Sequence, residues 1–386
     1  MKIVCFSEIQ WRYVRTRKQQ ILTRFPPDCE ILFLSSVVRG RRNNLLPERD
    51  GRVTHLCVPA MKNFPQAWAR ALFAAAPVRL LWNALLWFWV WAVRCATGFS
   101  GGGCVFYVSN IYYAAVLRLM PRALLLYDCN DDPLAFPDAP AWARGYFSRL
   151  ARMADVVVAV TSGLRTRLEN AGAAEVRLLG NGVDYELFER AAAGPTPDEM
   201  AGLPRPVIGY VGAVAHWFDF DLVERVAAEH PAASVVIIGP VFRGLEERAA
   251  GLRAARSNVV FLGERPYERL GAYCAAMDVC MIPLAMNELR RLADPNKIYE
   301  YAAAGRPIVT LAYSEEIAAL SGLLHVARTP AEFVGRIGEA LRDGGDPERL
   351  KAFARSRSWQ SRADGMMRLI REGLDRKRRR SGRKTA

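Results

Sequence analysis

The chain of 386 residues is 51% hydrophobic and 24% charged, enough apolar matter for two packed cores, which excludes a disordered or low-complexity protein. Its net charge of +14 and pI of about 9.7 favour an anionic partner without choosing among nucleic acid, an acidic membrane surface and a phosphorylated small molecule. The eight cysteines include no Cys-x-x-Cys, and Cys274 and Cys280 stand six apart with no histidine nearby; this excludes zinc-ligand spacing and reads as free buried thiols in a reducing compartment.

The first residues, Met-Lys-Ile-Val-Cys-Phe-Ser-Glu, lack a long apolar core and a cleavage site, so they read as a β-strand rather than a leader. Strands are predicted at 2–7, 30–35, 53–58, 104–108, 123–128 and 155–160, with helical stretches between most of them. Near-continuous apolar strands alternating with helices predict a parallel sheet covered on both faces. Residues 191–206 carry glycine and proline without periodicity and read as a linker. The pattern restarts with strands at 207–211, 234–238, 259–262, 279–282 and 308–311. The expected fold is α/β: two tandem Rossmann-like, doubly wound domains over 1–190 and 207–355, facing across a cleft. A C-terminal helix follows over 356–375 and can cross back to the first domain. The basic tail 376–386 reads as solvated and disordered, or more sharply as an electrostatic membrane tether.

Residues 65–97 stand apart. Leu80 to Val93 form a 14-residue apolar core bounded by Arg79 and Arg94, too short for a span of about 20 residues. Four tryptophans within ten residues suit a membrane interface, where indole has one dry and one wet end. A buried or oligomer-facing helix, and a true span, are the competing readings.

Three segments carry candidate chemistry. In Asp294-Pro-Asn-Lys-Ile-Tyr-Glu-Tyr, Pro295 can open a helix, and Lys297 and Glu300, three apart, share a face near its start. Free N–H groups, a helix dipole and a lysine suit a diphosphate, and a carboxylate one turn on suits a ribose diol; a capped surface helix with an ion pair is the plain alternative. In Leu124-Leu-Leu-Tyr-Asp-Cys-Asn-Asp-Asp-Pro, an apolar strand ends at Asp128, Asp131 and Asp132. That is where catalytic groups sit in open α/β sheets, and crowded carboxylates suit a general base; an Asx turn is the alternative. In Trp11 to Gln20, Arg17 has the fork that suits a phosphate, a solvated basic helix being the alternative.

The helix motif Pro-x-Lys-x-x-Glu-Tyr-x-Ala-x-Gly-x-Pro-Ile-Val resembles the donor site of GT-B glycosyltransferases. Asn181-Gly-Val-Asp with Phe188 is similar to a hallmark of family 4-like members, Ile208-Gly-Tyr-Val-Gly212 to the first strand and turn of their nucleotide domain, and Phe261 to Tyr267 to the loop against the nucleobase. Trp11 with Arg17 and Gln19, and the run Gly212 to Asp219, resemble the subgroup of teichuronic acid and related surface-polysaccharide glycosyltransferases. The resemblance implies a UDP- or GDP-sugar donor, with Lys297 on the diphosphate, Glu300 on the ribose, and Gly212, Arg265 and Asn296 completing the donor site. Arg17, His216 and Trp217 fall to the acceptor or phosphate, and Asp131, Asp128 and Asp132 to catalysis. Leu292 stands where many family members carry a further glutamate, and Glu288 is out of register. No Asp-x-Asp triplet is present around Asp128, so no metal and no other cofactor are expected. The reading is sugar transfer in the cytoplasm to a membrane- or lipid-linked acceptor in surface-glycan synthesis, by an enzyme peripherally attached to the inner face of the membrane, with no nucleic-acid partner. The resemblance favours retention of configuration without excluding inversion. A nucleotide-sugar epimerase on the same fold and a basic nucleic-acid-binding protein are the rivals.

Overall fold

The structure, a computed structural model, describes residues 1–385 apart from 14, 39, 62–65, 137 and 288–290, with side chains as far as residue 380. The chain divides into two compact units, residues 1–180 with 362–386, and residues 181–361.

The first unit holds an eight-stranded sheet: β1 Lys2–Ser7, β2 Glu30–Ser36, β3 Glu48–Asp50, β4 Val53–Val58, β5 Val105–Val108, β6 Leu124–Cys129, β7 Val156–Ala159 and β8 Val176–Leu178. The spatial order is β3-β4-β2-β1-β5-β6-β7-β8. Every pairing is parallel except β3 with β4. Runs such as Ile3-Val-Cys-Phe6 and Leu124-Leu-Leu126 are fully buried, because helices cover both faces of a parallel sheet. The chain reverses its winding direction between β1 and β5, which pair in register from Ile3 with Val105. Crevices form beyond the carboxyl ends at such a reversal.

The second unit holds β9 Val207–Val211, β10 Ser234–Ile238, β11 Val259–Gly263, β12 Val279–Ile282, β13 Ile308–Leu311 and β14 His325–Ala327. Their order is β11-β10-β9-β12-β13-β14, all parallel. The winding reverses at β9, which lies between β10 and β12.

The long strands match the sequence reading within a residue or so. The three short ones, β3, β8 and β14, were missing from it: each has three residues, and Glu-Arg-Asp in β3 carries no apolar signal at all. The units divide earlier than expected, and 191–206 is not a free linker. Tyr185 and Phe188 lie in the second core, and so does Met200, on the short helix Asp198–Ala201. Ahead of that segment, Val183 bridges Ser358 and accepts a bond from the Trp359 amide. Buried apolar side chains outweighed the Gly/Pro composition.

The last helix is one element, Trp359–Thr385, rather than a helix followed by a disordered tail. Met366 and Ile370 are buried, and from Arg362 it belongs to the first unit. Gly373 lies so close to Val156 and Leu124 that an added methyl would overlap both side chains. Two residues of the expected tail are ion-paired on that unit: Arg376 with Glu175 and Lys377 with Asp155, each at 2.9 Å.

Candidate functional site

In the second unit the donor-type residues converge at the carboxyl end of β9. Helix Asn296–Ala303 starts after Pro295 with no side-chain cap, so its first N–H groups are left for a ligand. Tyr301 on this helix accepts the Val211 amide at 2.8 Å and donates to the Val211 carbonyl at 3.3 Å. That bond holds the helix against the strand end. Gly212 follows with φ of +151°, a conformation that favours glycine. A methyl group there would overlap Cε and Nζ of Lys297 and crowd the Tyr210 hydroxyl. Gly239 packs on the Gly212 carbonyl in the same manner. The ammonium of Lys297 lies 5.4 Å from the Tyr210 ring centre.

Lys297 and Glu300 are both half-buried. Burial raises the Glu300 pKa above the ordinary carboxylate value, and the charge of Lys297 offsets part of that rise. No salt bridge joins the two among the described residues. The plain alternative of a capped helix with an ion pair is therefore not what formed. Asn296 adds a buried Oδ1 with no hydrogen-bond partner among the described residues; an orphaned acceptor at this place fits a ligand's donor group.

The loop before the helix is braced by a residue whose role sequence reasoning did not assign. Asn181 donates its amide to Asp294 Oδ2 at 2.6 Å and its Nδ2 to the Asp294 carbonyl at 2.7 Å, while Tyr299 donates to Asp294 Oδ1 at 2.8 Å. Its place in a recognised motif was the available signal. Arg265, expected in the donor set, is ion-paired with Glu199. Its guanidinium is 3.0 Å from both Glu199 and the Tyr273 hydroxyl, which itself donates to Glu199 at 2.5 Å. Those bonds, led by the one from Tyr273, lower Glu199 to about 2. This cluster occupies Arg265 within the unit, apart from the Gly212–Lys297 contact. His216 and Trp217 sit in the loop after Gly212, their rings edge-on at 4.6 Å, His216 exposed and Trp217 packed against Phe242. Leu292 is half-buried, and Glu288 lies outside the described residues.

In the first unit the structure corrects three expected roles. Asp128 and Arg17 are both buried, and they bind each other. The guanidinium donates Nε to both carboxylate oxygens, at 2.9 and 3.1 Å, and a second nitrogen at 3.1 Å. Tyr107 donates its hydroxyl to the same carboxylate, and Arg17 also reaches the Gly180 carbonyl at 2.7 Å. Neither charge is presented to a substrate. Asp132 is a third correction: it is fully buried, pairs with Arg167 at 2.6 Å and accepts the Leu134 amide at 2.9 Å, an Asx turn.

Asp131 differs. It is exposed and lines a cavity of about 440 Å³ with Glu8, Lys18, Ser109, Asn110 and Asn130. The cavity lies beyond the carboxyl ends of β1, β5 and β6, where the sheet reverses. Glu8 is ion-paired with the buried Lys18 and accepts the Ser109 hydroxyl at 2.9 Å. Burial pushes the Glu8 carboxyl up, but Lys18 and the hydrogen bonds outweigh it and hold its pKa below the ordinary value. Sequence reasoning passed over Glu8 and Lys18. Glu8 directly follows an apolar strand, the same signal that selected Asp128. Among the described residues no group of three or more His, Cys, Asp or Glu side chains is placed to share a metal ion.

Residues 205–343 match the family model described as glycosyl transferases group 1. Among curated proteins, the chain is 26% identical over 165 residues to the Bacillus subtilis teichuronic acid biosynthesis glycosyltransferase TuaH, covering 42% of this chain and 41% of that protein. It is 30% identical over 261 residues to the 2-deoxystreptamine N-acetyl-D-glucosaminyltransferase of Streptomyces fradiae, covering 62% and 60%. The matches thus span less than two thirds of either relative. Among solved structures, sucrose-phosphate synthase of Thermosynechococcus elongatus superposes with a TM-score of 0.73 at 14% identity over 96% of this chain and 99% of that one. Anabaena HepE in complex with UDP superposes with a TM-score of 0.65 at 16% identity over 96% and 100%. At such identities the likeness is one of fold. By these matches residues 205–343 are similar to the glycosyl transferases group 1 domain, and the chain has the GT-B fold.

Proposed function

We propose that the protein is a glycosyltransferase that moves a sugar from a nucleoside diphosphate sugar to a hydroxyl of a lipid-linked acceptor in surface-glycan synthesis. The observation that carries the reading is the Gly212–Lys297 contact at the uncapped start of helix Asn296–Ala303. Breaking the bond from sugar C1 to the leaving oxygen releases an anionic diphosphate. Positive charge placed beforehand at that oxygen lowers the barrier. Lys297 and the helix N-terminus supply it, the backbone at Gly212 leaves room for phosphate, and Glu300 takes the ribose hydroxyls. UDP is the favoured nucleotide, since a structural neighbour binds it. The donor set holds cationic charge without a metal, so transfer is proposed to be metal-independent.

The acceptor belongs to the cavity of Glu8 and Asp131. A carboxylate there orients and polarises the attacking hydroxyl and takes up its proton. Incubation of the purified chain with UDP- and GDP-sugars tests the whole reading. Nucleotide should be released only when a lipid-linked glycan is added, and EDTA should leave the rate unchanged. Epimerised donor without acceptor would replace this reading by the epimerase.

A further inference from the structure

Helix Ala76–Ala96 is apolar but for Arg79, Asn83 and Arg94, yet only Leu86, Val90 and Arg94 of its residues are buried. Its inner stripe, Leu86, Val90 and Arg94, recurs every four residues and is packed into the first unit. Arg94 donates to the carbonyls of Phe99 at 2.9 Å and Pro121 at 3.1 Å. Trp82 donates to the Pro59 carbonyl at 2.7 Å, and Asn83 to the Tyr146 hydroxyl at 2.9 Å. The helix is therefore fastened along the unit's surface.

Its other side is uncovered. Leu80, Leu81, Leu85 and Phe88 are exposed, Leu80 by 69% and Phe88 by 59%. The preceding helix, Ala67–Ala74, adds Trp68 at 67%. An apolar groove of about 560 Å³ runs beside them, lined by Trp87, Leu119 and Trp142 with Arg79 and Arg149. The indole N–H groups of Trp87 and Trp142 are buried there without a partner among the described residues. Water-exposed monomers rarely leave so contiguous an apolar patch.

Charge decides what covers it. From Gly51 through Tyr127 the sequence contains no Asp or Glu, while it carries the exposed Arg70 and Arg118 and the half-buried Arg79. Arg144 and Arg149, on the neighbouring helix Ala143–Met153, are exposed as well. A soluble face intersperses both signs. Removing every carboxylate while keeping arginines and tryptophans suits an anionic lipid surface, which repels acids, attracts guanidinium groups and accepts indole at the headgroup level.

We propose that this face seats in the headgroup layer of an anionic phospholipid bilayer, with helix Ala76–Ala96 in the membrane plane and the groove taking up part of one lipid. Length does not forbid crossing, since 21 residues rise about 31 Å against a hydrocarbon layer of about 30 Å. Here the expectation from the 14-residue apolar core is corrected; packing, not length, keeps the helix out. Insertion would strip Leu86, Val90 and Arg94 from the unit and carry Arg94 into hydrocarbon. The purpose of the surface rests on the proposed lipid-linked acceptor, which cannot leave the bilayer; the surface itself does not.

Flotation of the full chain with vesicles tests the proposal, with UDP calorimetry on the same samples. Binding is expected to vesicles containing phosphatidylglycerol, to fall at least tenfold on phosphatidylcholine alone or in high salt, and to fall as far in Leu81→Ser/Leu85→Ser/Phe88→Ser and in Arg118→Glu/Arg149→Glu. All these side chains are exposed, so UDP binding and circular dichroism should be unchanged in both variants. Equal flotation on neutral vesicles in high salt would overturn the proposal. So would absence of flotation, and light scattering that shows a dimer lost in the triple serine variant would then assign the face to a second copy. Flotation by a chain that binds no nucleotide would leave the lipid surface standing and remove the glycosyltransferase reading.

Discussion

Arg17 and Asp128, 111 residues apart in sequence, form a buried three-bond pair in the first unit. The pair ties helix Arg17–Thr23 to the end of β6. It turns two residues that read as a phosphate clamp and a candidate general base into one structural joint. Breaking such a pair on one side leaves an uncompensated buried charge, at about 3–5 kcal/mol. Asp128→Ala and Arg17→Met should each lower stability by that amount in urea titration, and Asp131→Ala should lower it by under 1 kcal/mol. Equal stability of Asp128→Ala and wild type would mean that the carboxylate is not held as described.

Gly212→Ala should abolish tight nucleotide binding while leaving the second unit folded. The methyl has no place beside Lys297, so the lysine must move from the phosphate position. Calorimetry with UDP should show at least a tenfold loss, about 1.4 kcal/mol. Unchanged affinity would break the link between this turn and the donor.

Lys297 and Glu300 should separate by ligand. Lys297→Ala is expected to weaken UDP by roughly 10- to 150-fold, about 1.5–3 kcal/mol for a hydrogen bond to a charged group, and to leave uridine almost unaffected. Glu300→Gln should weaken UDP and uridine alike. A lysine variant that loses both ligands equally would reassign Lys297 to shaping the pocket.

Glu300 also predicts a pH effect. Burial raises its folded-state pKa above 4.5, so the folded protein binds this proton more tightly than the unfolded chain. That contribution to stability is complete below pH 4.5 and is lost as pH rises through the raised value. At neutral pH, ligand-free Glu300→Gln should then be at least as stable as wild type in thermal melts, while binding UDP less well. A functional group kept at a cost in stability behaves this way. A melting temperature clearly below wild type would show that the carboxylate is structural.

Glu8→Gln should lower kcat for transfer by about 100-fold, the lower end of the range for general-base loss, with UDP affinity unchanged. Lys18→Met removes the neighbour that holds the Glu8 pKa down and should move the acid limb of the rate profile to higher pH. A Glu8→Gln enzyme within a few-fold of wild type would point back to Asp131 as the acceptor's base.

Local order was legible in the chain because local physics sets it. Continuous apolar runs such as Val207–Val211 can only be parallel strands buried on both faces, and the start of helix Asn296–Ala303 is written in Pro295 and in the spacing of Lys297 and Glu300. From that pattern came the two doubly wound sheets; the donor-type site came from the helix start together with its resemblance to GT-B donor sites. What the tertiary structure decided is which charges meet. Asp128, Asp131 and Asp132 look alike within five residues of sequence, yet one is closed by Arg17 from 111 residues earlier in the chain, one is turned into a loop brace beside Arg167, and one faces a cavity. Glu8 and Lys18 join that cavity because β1 and β5 become neighbours only when the sheet forms. The same holds for helix Ala76–Ala96: its composition allowed a span, and the three side chains that pack inward are what lay it flat. A carboxylate's role depends on the partner that folding brings within about 3 Å, and the residues flanking it in the chain do not name that partner.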